Sequence, residues 1–469
     1  MRARTRLLTL PAAAAAALAA PAPASAHGLV QRSNLPIPEW LFGWGASIVL
    51  VVSFVALAAL WPSPRLEDRP PWRPLPGLGR VLGSRPVEWL CGAIGVALLV
   101  VVLVAGFVGS GTALDNFAPT FILITFWVGM VFASALFGDV FRAFSPWRAI
   151  GRLLPRPEGL RPYPERLGRW PAAIGLLVFT WIELASGWGE DPALLVTAAL
   201  GYTLLTLAAQ AVWGVESWTR CGETFAVYYN LFARIAPFET RDRVVGVRPP
   251  LAGLPGLQPA PGTVALVAVM IGTVTFDGLS QGQLWNDVAI ALTDAVTALG
   301  IPITSAPTIV DTLGLLAGVA LVAGFYRAGI AGARSVGGDL SAARLRRGFV
   351  HSLVPIAAVY VVAHYLTFLL FEGQAISYLA SDPFGQGWDL FGTASSAIDY
   401  SLLSQNGAWY AQVAFVVAGH VAALILAHDR ALVLYPGDAK LAVRSQYWML
   451  TVMVGFTVLA LWLLAQAGS

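Results

Sequence analysis

Charged residues are scarce in this chain. Of its 469 residues only 12% are Asp, Glu, Lys or Arg, and 57% are hydrophobic, against roughly 25% and 45–50% in ordinary soluble domains. The apolar residues also come in stretches of about 18–24, the length that a helix needs to cross the hydrocarbon of a bilayer. This composition excludes an ordinary soluble protein and predicts an all-α integral membrane protein.

Cysteine and lysine are nearly absent. The two cysteines, Cys91 in a predicted span and Cys221 in a predicted loop, do not make a disulfide framework or a zinc motif. Lys440 is the one lysine, and this arginine bias is typical of a GC-rich bacterial genome and does not indicate nucleic-acid binding. The chain also lacks a GxxxxGK[ST] phosphate loop, an HExxH helix and a CxxCH haem site. These absences argue against ATP-driven transport, zincin chemistry and c-type haem.

The amino terminus has the layout of a secretory signal peptide over residues 1–26. Arg2, Arg4 and Arg6 precede an apolar stretch that ends in Ala-Ser-Ala. Cleavage there would make His27 the new amino terminus, where a free amine beside an imidazole is a candidate copper ligand pair. If the segment is retained, it becomes an eleventh span and the rest of the topology is unchanged.

Hydropathy predicts ten transmembrane helices in one polytopic domain over residues 27–469. Trp, Tyr, Pro or Arg lies at the edges of each span, as membrane interfaces favour. The predicted spans are 39–61, 87–109, 119–140, 170–187, 192–213, 263–282, 306–326, 349–371, 408–428 and 447–466.

Basic residues occupy every second loop. Five segments hold 25 of the 29 basic residues, and the four loops between them hold none. By the positive-inside rule the basic loops are cytoplasmic, so both ends of the mature chain lie outside, in agreement with the signal peptide. We expect a bacterial cytoplasmic membrane, with the lipid bilayer as the main partner. The basic segments are 62–86, 141–169, 214–262, 327–348 and 429–446.

Four loop segments invite a structural interpretation. The patterns of 141–169 and 222–238 favour amphipathic segments on the inner surface. The outer segments 283–305 and 372–407 are long and acidic, and would form a lid or re-entrant cover.

Ten spans split five and five would run in opposite directions, as in inverted-repeat transporters, although no residues match between the halves. Gly43, Gly45, Gly272 and Gly278 are candidate positions of broken helices.

Four ionisable residues on four different spans lie at one depth. Counted from the inner ends of their spans, Glu183, Asp277, Asp311 and His364 are all about 20 Å up. Such groups are costly inside a membrane and are functional candidates by default. They are predicted to form an outward-facing carboxylate and histidine site, with Asp277, His364 and Glu183 as the catalytic set and Asp311 as a weaker metal ligand. A divalent metal held there would activate water. The alternative is that neighbouring helices pair each group, which then only fixes packing.

Four stretches carry a resemblance to other proteins: 27–30 through 35–42, 276–278, 351–356 through 363–365, and 419–420 through 427–432. They resemble those of a family of polytopic actinobacterial membrane proteins that commonly carry the label fenitrothion hydrolase. The resemblance runs from the signal peptide to the last span. It implies a membrane-bound activity that cleaves an organophosphate triester in association with a partner subunit, and it transfers no catalytic residue.

Three hypotheses for function follow. The first is a membrane hydrolase that binds a small-molecule substrate at Glu183, Asp277 and His364 under the acidic outer loops. The second is a proton- or cation-coupled transporter that uses the same groups near the midplane. The third is a structural or assembly partner without chemistry of its own, in which the buried polar groups are merely paired.

Overall fold

The computed structural model describes residues 38–67 and 71–466. The described residues are 71% helical, and nine of the described helices are long and apolar enough to cross a membrane. A shorter apolar helix, Trp170–Leu184, coincides with the remaining predicted span. The prediction of an all-α multi-pass membrane protein is therefore confirmed. The predicted signal peptide and His27 lie outside the described residues.

Twenty α-helices follow one another along the described chain. Four of them belong to composite spans: a 3-10 turn joins α14 to α15, and α19 leads into α20. The central residues Thr120–Gly129 of α4 have π-helical geometry. The helices are α1 (Glu39–Leu60), α2 (Leu78–Leu82), α3 (Arg85–Val108), α4 (Phe117–Phe137), α5 (Val140–Phe144), α6 (Pro146–Gly151), α7 (Trp170–Leu184), α8 (Pro192–Trp213), α9 (Val215–Cys221), α10 (Thr224–Ala233), α11 (Thr263–Ser280), α12 (Gln283–Ala298), α13 (Ala306–Ser335), α14 (Ala342–Phe349), α15 (Val354–His364), α16 (Leu366–Leu370), α17 (Ala375–Ser381), α18 (Gln405–Leu434), α19 (Ala439–Arg444) and α20 (Tyr447–Gln466).

A small antiparallel sheet lies on the arginine-rich side. Its strands are β1 (Arg73–Pro74), β2 (Phe238–Arg241) and β3 (Val244–Val247), in the order β1-β3-β2. Asp242 and Arg243 both have positive φ, which gives the tight turn that the twist of a two-residue hairpin needs. The sheet joins the segment after the first span to the loop between the fifth and sixth.

Helix α11 lies at the centre of the bundle. In its apolar stretch 78% of the residues are buried, more than in any other described span. The helix packs against α7, α13, α15 and α20. Gly272 lets α13 approach closely, because a Cβ there would lie 2.5 Å from the Cα of Val319. Small residues at such crossings are the usual device for packing helices in lipid.

The first span packs against the last two, because α1 contacts both α18 and α20. The chain is therefore not divided into two separate bundles of five helices, and the inverted repeat stays a prediction. The glycines proposed as helix breaks do not break their helices: α1 and α11 are both continuous.

Of the two segments expected on the inner surface, 222–238 is buried instead. In α10, which covers most of it, nine of the ten residues are buried. The other segment, 141–169, is buried at Phe141, Trp147 and Arg148 but mostly exposed after α6. For 222–238 the surface prediction was wrong because aromatic residues at helical spacing fit a protein interior as well as a membrane interface. Of the outer segments, 283–305 contains the exposed helix α12, and a lid role stays a prediction.

Candidate functional site

A carboxylate, an imidazole and a phenol meet in the middle of the bundle. Asp277 lies near the carboxyl-terminal end of α11 and is completely buried. Its Oδ2 lies 2.9 Å from Nε2 of His364, and it accepts a hydrogen bond of 2.6 Å from the Tyr365 hydroxyl. His364 and Tyr365 are 4% and 2% exposed. The structure thus brings together Asp277 and His364, which are 87 residues apart in sequence.

A break in the eighth span allows two consecutive residues to reach one oxygen. Side chains next to each other in a continuous α-helix point about 100° apart. Helix α15 ends at His364, Tyr365 has φ −95° and ψ 13°, and α16 begins at Leu366. The two rings meet edge to face, with centroids 4.6 Å apart. This interruption, which the sequence did not indicate, positions the phenol beside the imidazole.

A small cavity adjoins His364. Its volume is about 20 Å³, and its wall includes Gly278, Tyr360 and Val416. A site of that size holds about one water molecule. The ionisable centre therefore has space for water beside it, but not for a bulky organic molecule.

Glu183 lies at the edge of this centre. It is half-buried near the end of α7 and interacts electrostatically with Tyr365 and with Tyr228 of α10. The association of Glu183 with Asp277 and His364, like its catalytic role, stays a prediction.

Asp311 has a different neighbourhood. It accepts a hydrogen bond of 3.2 Å from the indole of Trp285, which lies on α12. The same indole packs edge to face on Phe276, with centroids 5.1 Å apart. Trp285 therefore covers the carboxyl-terminal end of α11 and ties α12 to α13. Asp311 belongs to this cover rather than to the contacts of Asp277.

The predicted metal site would need more His, Cys, Asp or Glu ligands than the structure brings together. Across residues 38–67 and 71–466, no group of three or more His, Cys, Asp or Glu residues is arranged to hold a metal ion. A metal role for Asp277, His364, Glu183 and Asp311 stays a prediction that this geometry does not favour. The copper prediction for His27 falls outside the described residues.

Sequence reasoning passed over two features of this region. The first is Tyr365, which its position directly after His364 could have marked as a candidate site residue. Gly278 to Gly282 has the GxSxG spacing, with Ser280 at its centre. Ser280 lies at the end of a helix and donates a hydrogen bond to the carbonyl oxygen of Asp277. A nucleophile elbow instead requires a strand-to-helix turn, so Ser280 has the spacing without the geometry.

The remaining described histidines are buried. His351 and His428 are only 2% and 1% exposed, although both lie in arginine-rich parts of the sequence. His428 Nε2 lies 3.0 Å from the Trp61 carbonyl. Next to it, Asp429 accepts hydrogen bonds from the Trp61 indole and from three backbone N–H groups after α1. This part of 427–432 therefore anchors the first loop to α18.

Comparison of the chain with protein-family models, with curated proteins and with solved structures finds no match in any of the three. The assignment of function therefore rests on the geometry described above.

Proposed function

We propose that this protein is a proton-coupled membrane transporter and that Asp277, His364 and Tyr365 form its proton-binding centre. The observation that carries the proposal is the single oxygen of Asp277 that is shared by an imidazole and a phenol inside a buried membrane helix. The two other hypotheses, hydrolase and structural partner, remain as outcomes of the test.

Burial of ionisable groups supports a role in handling charge. A charged side chain at mid-bilayer costs about 2.5–3.5 kcal/mol on insertion scales, and such groups usually line ion or proton pathways. The Asp277 carboxylate and the His364 imidazole offset one another when they are oppositely charged, and both become neutral when one proton moves between them. The pair therefore holds one proton without net buried charge, and it carries a net charge of −1 once that proton is passed on.

Protonatable groups continue inward from this pair. The water-sized cavity beside His364 also contacts Tyr360 and Val416. The carbonyl of Val416 lies 2.7 Å from Nδ1 of His420, and the ring centroids of His420 and Tyr360 are 6.4 Å apart. His420 is fully buried, and its Nε2 has no hydrogen-bond partner among the described residues. A proton leaving His364 toward the inner side would meet this histidine next.

The available space disfavours the hydrolase hypothesis. Cleavage of an organophosphate triester, which the family resemblance implies, needs a substrate pocket at the reacting groups and stabilisation of charge on a phosphoryl oxygen. The cavity beside His364, of about 20 Å³, has room only for a water molecule. The broken helix at Tyr365 instead matches the discontinuous helices that carry coupling-ion sites in transporters.

Proton flux into proteoliposomes tests the proposal. Purified protein is reconstituted with a trapped pH-sensitive dye, and a potassium diffusion potential is imposed. We expect wild-type protein to carry protons and Asp277→Asn to slow the flux by about 100-fold, the scale on which a positioned proton-transfer group acts. Asp311→Asn is the matched control, because it makes the same chemical change on the adjacent helix α13 and should leave the flux within about twofold.

The other outcomes favour the other hypotheses. Wild-type flux equal to that of empty liposomes, together with hydrolysis of a phosphotriester by the purified protein, would replace the proposal with the hydrolase. No flux, no hydrolysis and a lower unfolding temperature for Asp277→Asn would leave the pair as a packing element. Equal loss of flux in Asp311→Asn would remove the special role of Asp277.

A further inference from the structure

A polar cleft lies on the arginine-rich side of the molecule, apart from the Asp277 centre. It has a volume of about 710 Å³ and is formed by the α2–α3 corner, α5, α6, α9, α10 and the β2–β3 hairpin. By the positive-inside rule this side is predicted to be cytoplasmic. Seven arginines and four carboxylates line the cleft, which leaves an excess of positive charge. They are Arg142, Arg148, Arg152, Arg220, Arg234, Arg243 and Arg248, with Glu88, Asp139, Glu216 and Glu239.

Two glutamates hold four of these arginines. Glu216 pairs with Arg142, Arg148 and Arg152 at 2.6 to 3.3 Å. Glu88 pairs with Arg148 and Arg152 at 2.7 and 2.8 Å, and with Arg243 at 3.4 Å. Each carboxylate is therefore shared, and the guanidinium groups keep N–H donors that these pairs do not use.

The remaining positive charge lies at Arg234 and Arg220. Neither arginine has an ion-pair partner within 4 Å in the part of the chain that the structure describes. Arg234 donates one hydrogen bond to the Gly253 carbonyl, while its Nε has no hydrogen-bond partner among the described residues. Burial, with further repulsion from Arg169 and Arg248, lowers the pKa of Arg234 to about 10. A bound anion would relieve this repulsion.

Asp139 offsets little of that charge. It caps the amino terminus of α5 by accepting from the Arg142 backbone N–H at 3.3 Å, and its other oxygen accepts from Asn230 at 2.8 Å. Burial raises the pKa of Asp139, although Asn230 and the nearby arginines act in the opposite direction. The four carboxylates therefore compensate the seven arginines only in part.

We infer that this cleft is a binding site for a phosphate group, with Arg234 and Arg220 as its principal ligands. The site is independent of the proton-binding centre. The excess of three arginines over carboxylates suits an anion of more than one charge, since a monoanionic carboxylate would leave most of the excess in place. Guanidinium groups also bind phosphate oxygens in a bidentate manner.

The phosphate has two conceivable sources, a soluble phosphorylated compound or a lipid headgroup. Helix α5 separates the cleft from a large apolar cavity of about 1070 Å³ between α3, α4, α7 and α8. Arg142 faces the cleft, whereas Phe141 and Phe144 line the apolar cavity. An anionic lipid would find an apolar space and a cationic cleft on the two sides of one short helix.

Binding of inorganic pyrophosphate tests the site directly. Titration calorimetry on the full chain in a maltoside detergent should show binding that Arg234→Gln weakens by about tenfold or more, the scale of a lost charge-assisted hydrogen bond. Glu216→Gln should strengthen binding by roughly threefold to tenfold, because it removes a negative charge that three arginines share. Two variants with opposite signs separate an electrostatic site from general damage to the fold.

A second arm identifies the source. Protein incubated with phosphatidylcholine and phosphatidate is analysed by native mass spectrometry for retained lipid. Arg347→Gln is the control for both arms, since it removes an exposed charge of the same type outside the cleft. All variants should keep the wild-type helical content and unfolding temperature.

Each result has a defined meaning. Pyrophosphate binding that follows the predicted signs supports a soluble ligand, and retention of phosphatidate that is lost in Arg234→Gln supports a lipid ligand. Absence of both kinds of binding in the wild type overturns the inference. It is also overturned if Arg347→Gln weakens binding as much as Arg234→Gln, because the effect would then be one of overall charge.

Discussion

Asp277 receives both of its described hydrogen-bond donors on one oxygen, and the two donors are not equivalent. The imidazole of His364 has two ring nitrogens and can both take up and pass on a proton, whereas the hydroxyl of Tyr365 donates its hydrogen bond to the carboxylate and positions it. Tyr365→Phe therefore removes a positioning contact and leaves the proton carrier in place. We expect proton flux to fall by about tenfold, less than in Asp277→Asn.

The same reconstituted assay measures this difference. Tyr326→Phe is a suitable control, because it deletes a hydroxyl that donates to the backbone carbonyl of Arg346 on α14 and has no described hydrogen bond to Asp277. Flux in Tyr365→Phe equal to that in wild type would show that the phenol does not position Asp277. Flux as low as in Asp277→Asn would assign the phenol a direct part in proton transfer.

At the scale of elements, the crossing of α11 and α13 depends on Gly272. Gly272→Ala would place a Cβ 2.5 Å from the Cα of Val319. This is a backbone atom, which cannot move aside as the end of a flexible side chain could. Overpacking of this kind costs about 1–3 kcal/mol, so the unfolding temperature in detergent should fall. Gly324→Ala on α13 is the matched control: nothing lies within 4 Å of its Cβ, and helix propensity should stabilise it by about 0.5–1 kcal/mol. An equal effect of the two substitutions would contradict close packing at this crossing.

The start of α10 should respond to pH through Glu223. This buried glutamate caps the helix by accepting from the backbone N–H groups of Phe225 and Ala226, and it also accepts from the Tyr202 hydroxyl. Burial raises its pKa from 4.5 to about 7. Protonation of Glu223 therefore favours the folded state. Its contribution to the free energy of unfolding is fully present below pH 4.5 and is lost as the pH rises through about 7.

Thermal unfolding between pH 4.5 and 7 measures this effect. The unfolding temperature of the wild type should fall across that window. The corresponding loss in the free energy of unfolding is on the order of 3 kcal/mol. Glu223→Gln cannot titrate, so its profile should be flatter, while substitution of the exposed Glu165 by Gln should keep the wild-type slope. Parallel profiles for Glu223→Gln and wild type would show that another group titrates.

At the scale of the whole molecule, the distribution of arginine predicts the orientation. The cleft, the small sheet and the loop containing Gly337 all lie in segments that the positive-inside rule assigns to the cytoplasm, and the carboxyl terminus is predicted outside. Alkaline phosphatase fused after residue 469 should be active, and the same enzyme fused at Gly337 should be inactive. Fluorescent-protein fusions at the two positions should give the reverse result. Activity at Gly337 would invert the topology and would place the phosphate cleft outside.

The sequence by itself determined the class of the protein and the positions of its spans, because the length and hydropathy of a membrane helix are local properties of the chain. It also placed Asp277 and His364 at one depth, since depth follows from counting residues along a helix.

Only the tertiary structure decided which of those residues meet. Counting along helices gives no lateral position, so Asp277 with His364, and Asp311 with Trp285, were equally compatible with the sequence until the packing of α11, α13 and α15 was known. The break at Tyr365 and the arginine cleft likewise depend on contacts between segments far apart in the chain. Those contacts are set by close packing of whole helices, which no local pattern encodes.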